Sequence, residues 1–309
     1  MKNRATKKEQ FLNALFGEQT IEKTAGICFS AAVLFPTLLV LVFVFIAALF
    51  GLFQEGYESA DWYAYTNFLL PQIAYLLVAV LFFSLSHVQV KEFTGKPSIK
   101  YFILAILLQF GLFSLSELNV LFLDFLENFG YENTPLTIPS LDGFGFVGVL
   151  FVVALLPAVF EEIVFRGIAL RGVKPFGTTL SVLLCGALFA VFHQNPAQTI
   201  YQFCCGAAFA VLALRSRSIF PTVLAHFLNN ATILVFAKFG SPVLPEPLSV
   251  TLLIGSAISL VGVLGYLFFF DKQGKVERDK QKGKQFLLFA SVGIVICVLM
   301  WLVTFFGGI

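Results

Sequence analysis

A chain of 309 residues that is 58% hydrophobic and only 12% charged is not an ordinary soluble domain, where about a quarter of the residues carry charge. The net charge of +2 says little about partners by itself, and no nucleic-acid partner is expected. The 39 Phe suit a surface that faces lipid.

The apolar residues come in runs long enough to span a bilayer as helices, the one open-ended structure that satisfies its own backbone in lipid. In chain order the predicted spans are Thr24–Phe53, Phe68–Val90, Tyr101–Phe122, Phe144–Phe165, Thr178–His193, Thr199–Leu214, Ile219–Ala237, Val250–Phe270 and Phe286–Phe306. The expected fold class is therefore all-α and polytopic, with about nine transmembrane helices. The polar tail Met1–Thr24 is too long for a cleaved signal peptide, so the first run reads as a retained span. Residues 1–143 form the tail and three helices, 144–237 a core of four helices, and 238–309 two more helices joined by a basic loop.

The loops alternate in charge. Lys2, Arg4, Lys7 and Lys8 precede the first span, and Glu55, Glu58 and Asp61 follow it. Lys91, Lys96 and Lys100 come next, then the acidic stretch with Asp124, Glu127, Glu132 and Asp142. Arg166, Arg171 and Lys174 follow the fourth span, Arg215 and Arg217 the sixth, and a strongly basic loop from Lys272 to Lys284 precedes the last. Basic loops stay cytoplasmic, which predicts a cytoplasmic N-terminus and an external C-terminus, with Lys238 the one misfit. The short loops fit a bacterial cell membrane. A short interfacial helix is expected around Val120–Phe129, and the prolines at 242, 245 and 247 predict a non-helical loop from Gly240 to Pro247. The five Cys all lie in apolar runs without CxxC spacing and read as packing residues.

Ionisable side chains inside a span cost about 2.5–3.5 kcal/mol each on insertion scales, so they mark candidate functional positions. Here they gather in the core: Glu161, Glu162 and Arg166 in the fourth span, His193 at the end of the fifth, and His226 with Asn230 in the seventh. Glu162 and Arg166 are four apart and can pair on one helix face. Glu161 is turned about 100° away by the helical period and is left beside a like charge in a poorly solvated pocket, the setting of a general base. His193 can share a water with it. His226 and Asn230, again four apart, can donate to a developing oxyanion. His87 reads as packing, and Asn229 as a hydrogen bond between helices.

The three groups Glu161-Glu162-Ile163-Val164-Phe165-Arg166, Phe189-Ala190-Val191-Phe192-His193 and His226-Phe227-Leu228-Asn229-Asn230 resemble the EExxxR, FxxxH and HxxxN motifs of the CAAX protease and bacteriocin-processing family of intramembrane endopeptidases. Gly167 and Gly206 look like further family features. The resemblance covers about Phe144 to Ala237. It implies an intramembrane peptidase with Glu161 as catalytic base, His193 helping to activate water, His226 and Asn230 as oxyanion hole, and Glu162 and Arg166 supporting the site. The implied partners are a membrane-associated peptide or protein substrate and the lipid bilayer. No cofactor is expected, although Glu161, His193 and His226 would be the ligands if a zinc ion were used. A peptide-binding scaffold without activity and a transporter are the competing readings; no repeated halves support the transporter.

For Glu161 and His193 to meet, the fifth and sixth spans must form a short hairpin turning within the membrane near Asn195-Pro196. Sixteen helical residues rise roughly 24 Å, less than a hydrocarbon core of ~30 Å.

Overall fold

In the computed structural model the described residues are 20–86, 88–133, 137–274, 276 and 278–308. His87, the basic residues of the N-terminal tail and Lys275 lie outside them. The described chain is helical throughout, with no strand beyond one isolated bridge between Thr94 and Ser218.

The helices are α1 (Ile21–Leu49), α2 (Asp61–Leu85), α3 (Ile99–Leu112), α4 (Ser116–Glu127), α5 (Gly145–Phe176, several segments in one run), α6 (Thr178–Phe192), α7 (Thr199–Ser216), α8 (Phe220–Phe239), α9 (Glu246–Gly265, continued by a π turn to Phe270) and α10 (Lys280–Gly307). Among the described residues eight helical runs are long and apolar enough to cross a membrane, and α6 is the shorter ninth. The third run joins α3 to α4 through a single turn at Phe113–Leu115, so the segment expected around Val120–Phe129 is helical from Ser116 to Glu127 and continues the third span. The loop after α8 is non-helical only to Pro245. Pro247 stands in the first turn of α9, where its missing N–H costs nothing.

The first and last helices run parallel. Thr20 donates to Gln285 Oε1 at 2.8 Å, and Ser30 donates to the Phe289 carbonyl at 2.8 Å. Gly26 lets the backbones touch, for a Cβ there would come within 2.5 Å of the Phe286 carbonyl oxygen. Residues 20 and 308 therefore lie at opposite ends of the bundle, and Gly308 accepts a hydrogen bond from Glu132 N at 2.7 Å, beside the acidic segment. Lys238 also belongs to that end, donating to the Leu141 carbonyl.

The basic loops lock together at the other end. Lys100 pairs with Asp271 at 3.0 Å, Arg215 donates to the Leu267 and Gln273 carbonyls, and Asp279 N donates to the Pro175 carbonyl at 2.8 Å. Burial works against ionising Asp271, but the Gln273 amide, the Tyr101 hydroxyl and the Lys100 ammonium outweigh it and hold its carboxyl below the ordinary value.

Helices α6 and α7 form the expected hairpin, but only α6 is short; the run of α7, Pro196–Ser216, is long enough to cross a membrane. They approach through Gly186 and Gly206, where a Cβ on Gly206 would stand 2.8 Å from Phe189 Cβ and 2.9 Å from Gly186 Cα. Small residues serve helix contact in lipid because no hydrophobic force draws helices together there. Gly206→Ala is expected to cost about 1–3 kcal/mol by overpacking, read as a lower midpoint in detergent-solubilised melting. The turn itself is satisfied by protein. Asn195 Oδ1 accepts from Ala197 N at 2.9 Å, Thr199 donates to the Asn195 carbonyl at 3.2 Å, and Trp301 Nε1 donates to Thr199 at 2.8 Å. Leu126 of α4 and Tyr131 pack over Ala197.

Candidate active site

Helix α5 carries the acidic pair on an α-helical segment, Leu156–Glu162, flanked by π turns at Leu150–Leu155 and Ile163–Ala169. Pro157 accounts for the first of these, since it has no N–H to give the Val153 carbonyl four residues back. Inserted π turns recur at functional sites because they re-aim side chains without ending the helix.

Glu162 is fully buried. Its Oε1 accepts from Arg166 at 2.7 Å and from His226 Nδ1 at 3.0 Å. The pairing read from the four-residue spacing is thus present. The other terminal nitrogen of Arg166 donates to the Gly206 carbonyl at 3.2 Å, and its guanidinium stacks over Phe189, 4.6 Å from the ring centre. One arginine ties the acidic helix to the hairpin. Thr222, one turn before His226, donates to the Ile219 carbonyl at 2.8 Å and lies beside the Glu162 carboxylate.

Glu161 is set apart, as the helical period requires. Its side chain is 14% exposed and its Oε2 is 3.9 Å from His226 Nε2. His226 therefore stands between the two carboxylates, one ring nitrogen toward each. Because a carboxylate only accepts, Nδ1 carries the proton shared with Glu162, and Nε2 is the atom turned to Glu161.

His193 caps α6, its Nδ1 2.7 Å from the Phe189 carbonyl. A carbonyl only accepts, so Nδ1 is protonated and the neutral ring offers a lone pair at Nε2. Glu161 and His226 are near enough to act on the ring electrostatically. Asn230 follows His226 by about one turn of α8. Its amide nitrogen lies 3.5 Å from the Val153 carbonyl, the acceptor that Pro157 leaves without its usual donor.

Sequence reasoning misses the groups that hold Asn230. Asn229 Nδ2 donates to Asn230 Oδ1 at 3.1 Å. Asn229 Oδ1 in turn accepts from Tyr201 at 2.6 Å and from Gln109 at 2.9 Å. Asn229 thus bonds between helices, as expected, and also fixes which way the Asn230 amide faces. Tyr75 of α2, buried and within electrostatic reach of Glu161, is a further neighbour. The available signal was the presence of uncharged polar side chains in otherwise apolar runs.

Buried polar atoms also remain without a protein hydrogen bond: Glu161 Oε2, Glu162 Oε2 and Arg166 Nε. The same holds for Gln72 Oε1, Gln109 Oε1 and Asn119 Oδ1. Among the described residues no three His, Cys, Asp or Glu side chains are grouped so as to hold a metal ion, so Glu161, His193 and His226 as they stand do not fit a zinc site. The five Cys are free.

Residues 143–232 match the family described as type II CAAX prenyl endopeptidase Rce1-like. This segment is similar to that family. The resemblance carried by the three motifs is borne out, and the match indicates a protease embedded in the membrane. The matched segment begins just before α5 and ends in α8, so it contains Glu161, Glu162, Arg166, His193, His226 and Asn230. Gln109 and Tyr75 lie outside it. No curated protein and no solved structure matches the chain.

Proposed function

We propose that the chain is an intramembrane endopeptidase that hydrolyses a peptide bond of a membrane-associated peptide or protein of CAAX type or of bacteriocin or pheromone type. The observation that carries this reading is the position of His226 between two carboxylates, with Nε2 3.9 Å from Glu161 and Nδ1 on Glu162. Glu161 takes a proton from a water whose second hydrogen bond goes to His193 Nε2, and the water oxygen attacks the peptide carbonyl. His226 and Asn230 hold the resulting oxyanion. His226 donates from Nε2 as an imidazolium, for which the two carboxylates are the counter-ions. Asn230 does so by exchanging its long contact with Val153 for the substrate oxygen. Collapse of the intermediate breaks the C–N bond, and the proton on Glu161 passes to the leaving amine. Glu162 and Arg166 hold His226 in place. The basic end faces the cytoplasm in this reading.

Membrane-associated peptides compared between cells carrying the wild type and cells carrying Glu161→Gln should differ by precursors that accumulate uncut in the variant. Identical profiles, with the variant present and folded, would remove the hydrolytic reading and favour the peptide-binding scaffold. Purified protein stripped with a strong chelator should keep its cleavage rate, because no step runs through a metal. Loss of activity restored by zinc would assign the same three side chains to a metal site instead.

A further inference from the structure

A cavity of about 370 Å³ opens at the basic end of the bundle, lined by Arg171, Lys174, Arg217, Glu92 and Ser218, with Arg166 also contributing to its wall. The tendency of basic residues to stay on one side of a membrane accounts for their presence in these loops. It does not account for their convergence on one cavity. Among the described residues Glu92 is the only carboxylate in the lining, and it is engaged by Arg171 at 3.4 Å. Arg171 and Arg217 both stand close enough to Lys174 to repel it. Neither Lys174 nor Arg217 has a side-chain hydrogen bond or ion pair among the described residues.

The backbone at Arg217 gives a second, independent indication. Arg217 has φ 54 and ψ 31 and ends α7 in the left-handed region, where glycine is the residue without strain. The surrounding chain clamps it there. Ile219 N donates to the Phe93 carbonyl at 2.9 Å, and Gly95 packs so closely that a Cβ would stand 2.6 Å from the Arg217 carbonyl oxygen. A bulky cation thus occupies a position built for glycine, at the wall of a cavity short of negative charge. Strain of this kind is retained where a side chain serves a function.

We propose that this cavity binds a phosphate-bearing anion, either the headgroup of an anionic phospholipid at the membrane surface or a soluble phosphate. Guanidinium groups match phosphate oxygens in paired hydrogen bonds, and a basic pocket between helices at a membrane surface is the setting in which headgroups are held. The site does not depend on the hydrolytic reading, and its test needs no substrate.

The experiment uses the full-length protein, as wild type, R217G and K174Q. Each is extracted from vesicles of mixed phosphatidylglycerol and phosphatidylcholine, and retained lipid is counted by native mass spectrometry. Melting in detergent is then followed with inorganic phosphate or with chloride at equal ionic strength. R217G relaxes the backbone, so without added anion it should melt no lower than the wild type, while retaining about five-fold less phosphatidylglycerol or losing the phosphate-induced rise in midpoint. K174Q should show the same loss without any change in backbone strain. Retention of phosphatidylglycerol without a phosphate response assigns the site to lipid, and a phosphate response assigns it to a soluble ligand. If the wild type responds to neither, or all three proteins respond alike, the proposal is wrong.

Discussion

Glu161→Gln should lower the cleavage rate of a prenylated CAAX-type peptide by about 10²–10⁴-fold, the range that general acid–base groups supply, while leaving the melting curve in place. The amide has the size and shape of the carboxylate but cannot take a proton from water. Folding should tolerate the change, because Glu161 is partly exposed and its nearest ionic partner is 3.9 Å away. Glu162→Gln is the instructive contrast. That side chain holds both Arg166 at 2.7 Å and His226 at 3.0 Å, so its loss should affect stability and activity together. A folded Glu161→Gln protein cleaving at the wild-type rate would take Glu161 out of the chemistry.

The sequence reveals parts of this site to different depths for physical reasons. The Glu162–Arg166 pair is legible because it lies within one helix, where the period alone fixes which side chains meet. The hairpin is legible from length, since a helix of 15 residues such as α6 cannot cross the hydrocarbon core. The same period turns Glu161 away from Glu162, correctly, but it is silent about a ring arriving from α8 that reaches both. Contacts such as Gln109 to Asn229, 120 positions apart, leave no local trace at all. The link between Pro157 and Asn230 is half legible. A proline in a helix announces a freed carbonyl, but only the packing of α8 against α5 names the group that meets it. The π turns are hidden for a related reason, because an i→i+5 bond changes the phase of a helix without changing its composition.

Arg166→Met should destabilise the protein by about 3–5 kcal/mol, the usual cost of removing one partner from a buried ion pair. Methionine fills much of the volume but leaves the Glu162 carboxylate fully buried with His226 as its remaining ionic partner. It also strips the Gly206 carbonyl of its side-chain donor, which loosens α5 from the hairpin. Arg166→Lys should rescue little. A single ammonium lacks the planar fork that serves Glu162 and Gly206 at once while stacking on Phe189. The double variant Glu162→Gln/Arg166→Met separates charge from packing. It removes the uncompensated carboxylate, so it should be more stable than Arg166→Met alone, yet it should remain inactive because His226 loses its ionic anchor. Unfolding midpoints in detergent for the three variants decide the matter. A midpoint for Arg166→Met equal to that of the wild type would mean that Glu162 is buried as a neutral acid, and that the ion pair is not what orients His226.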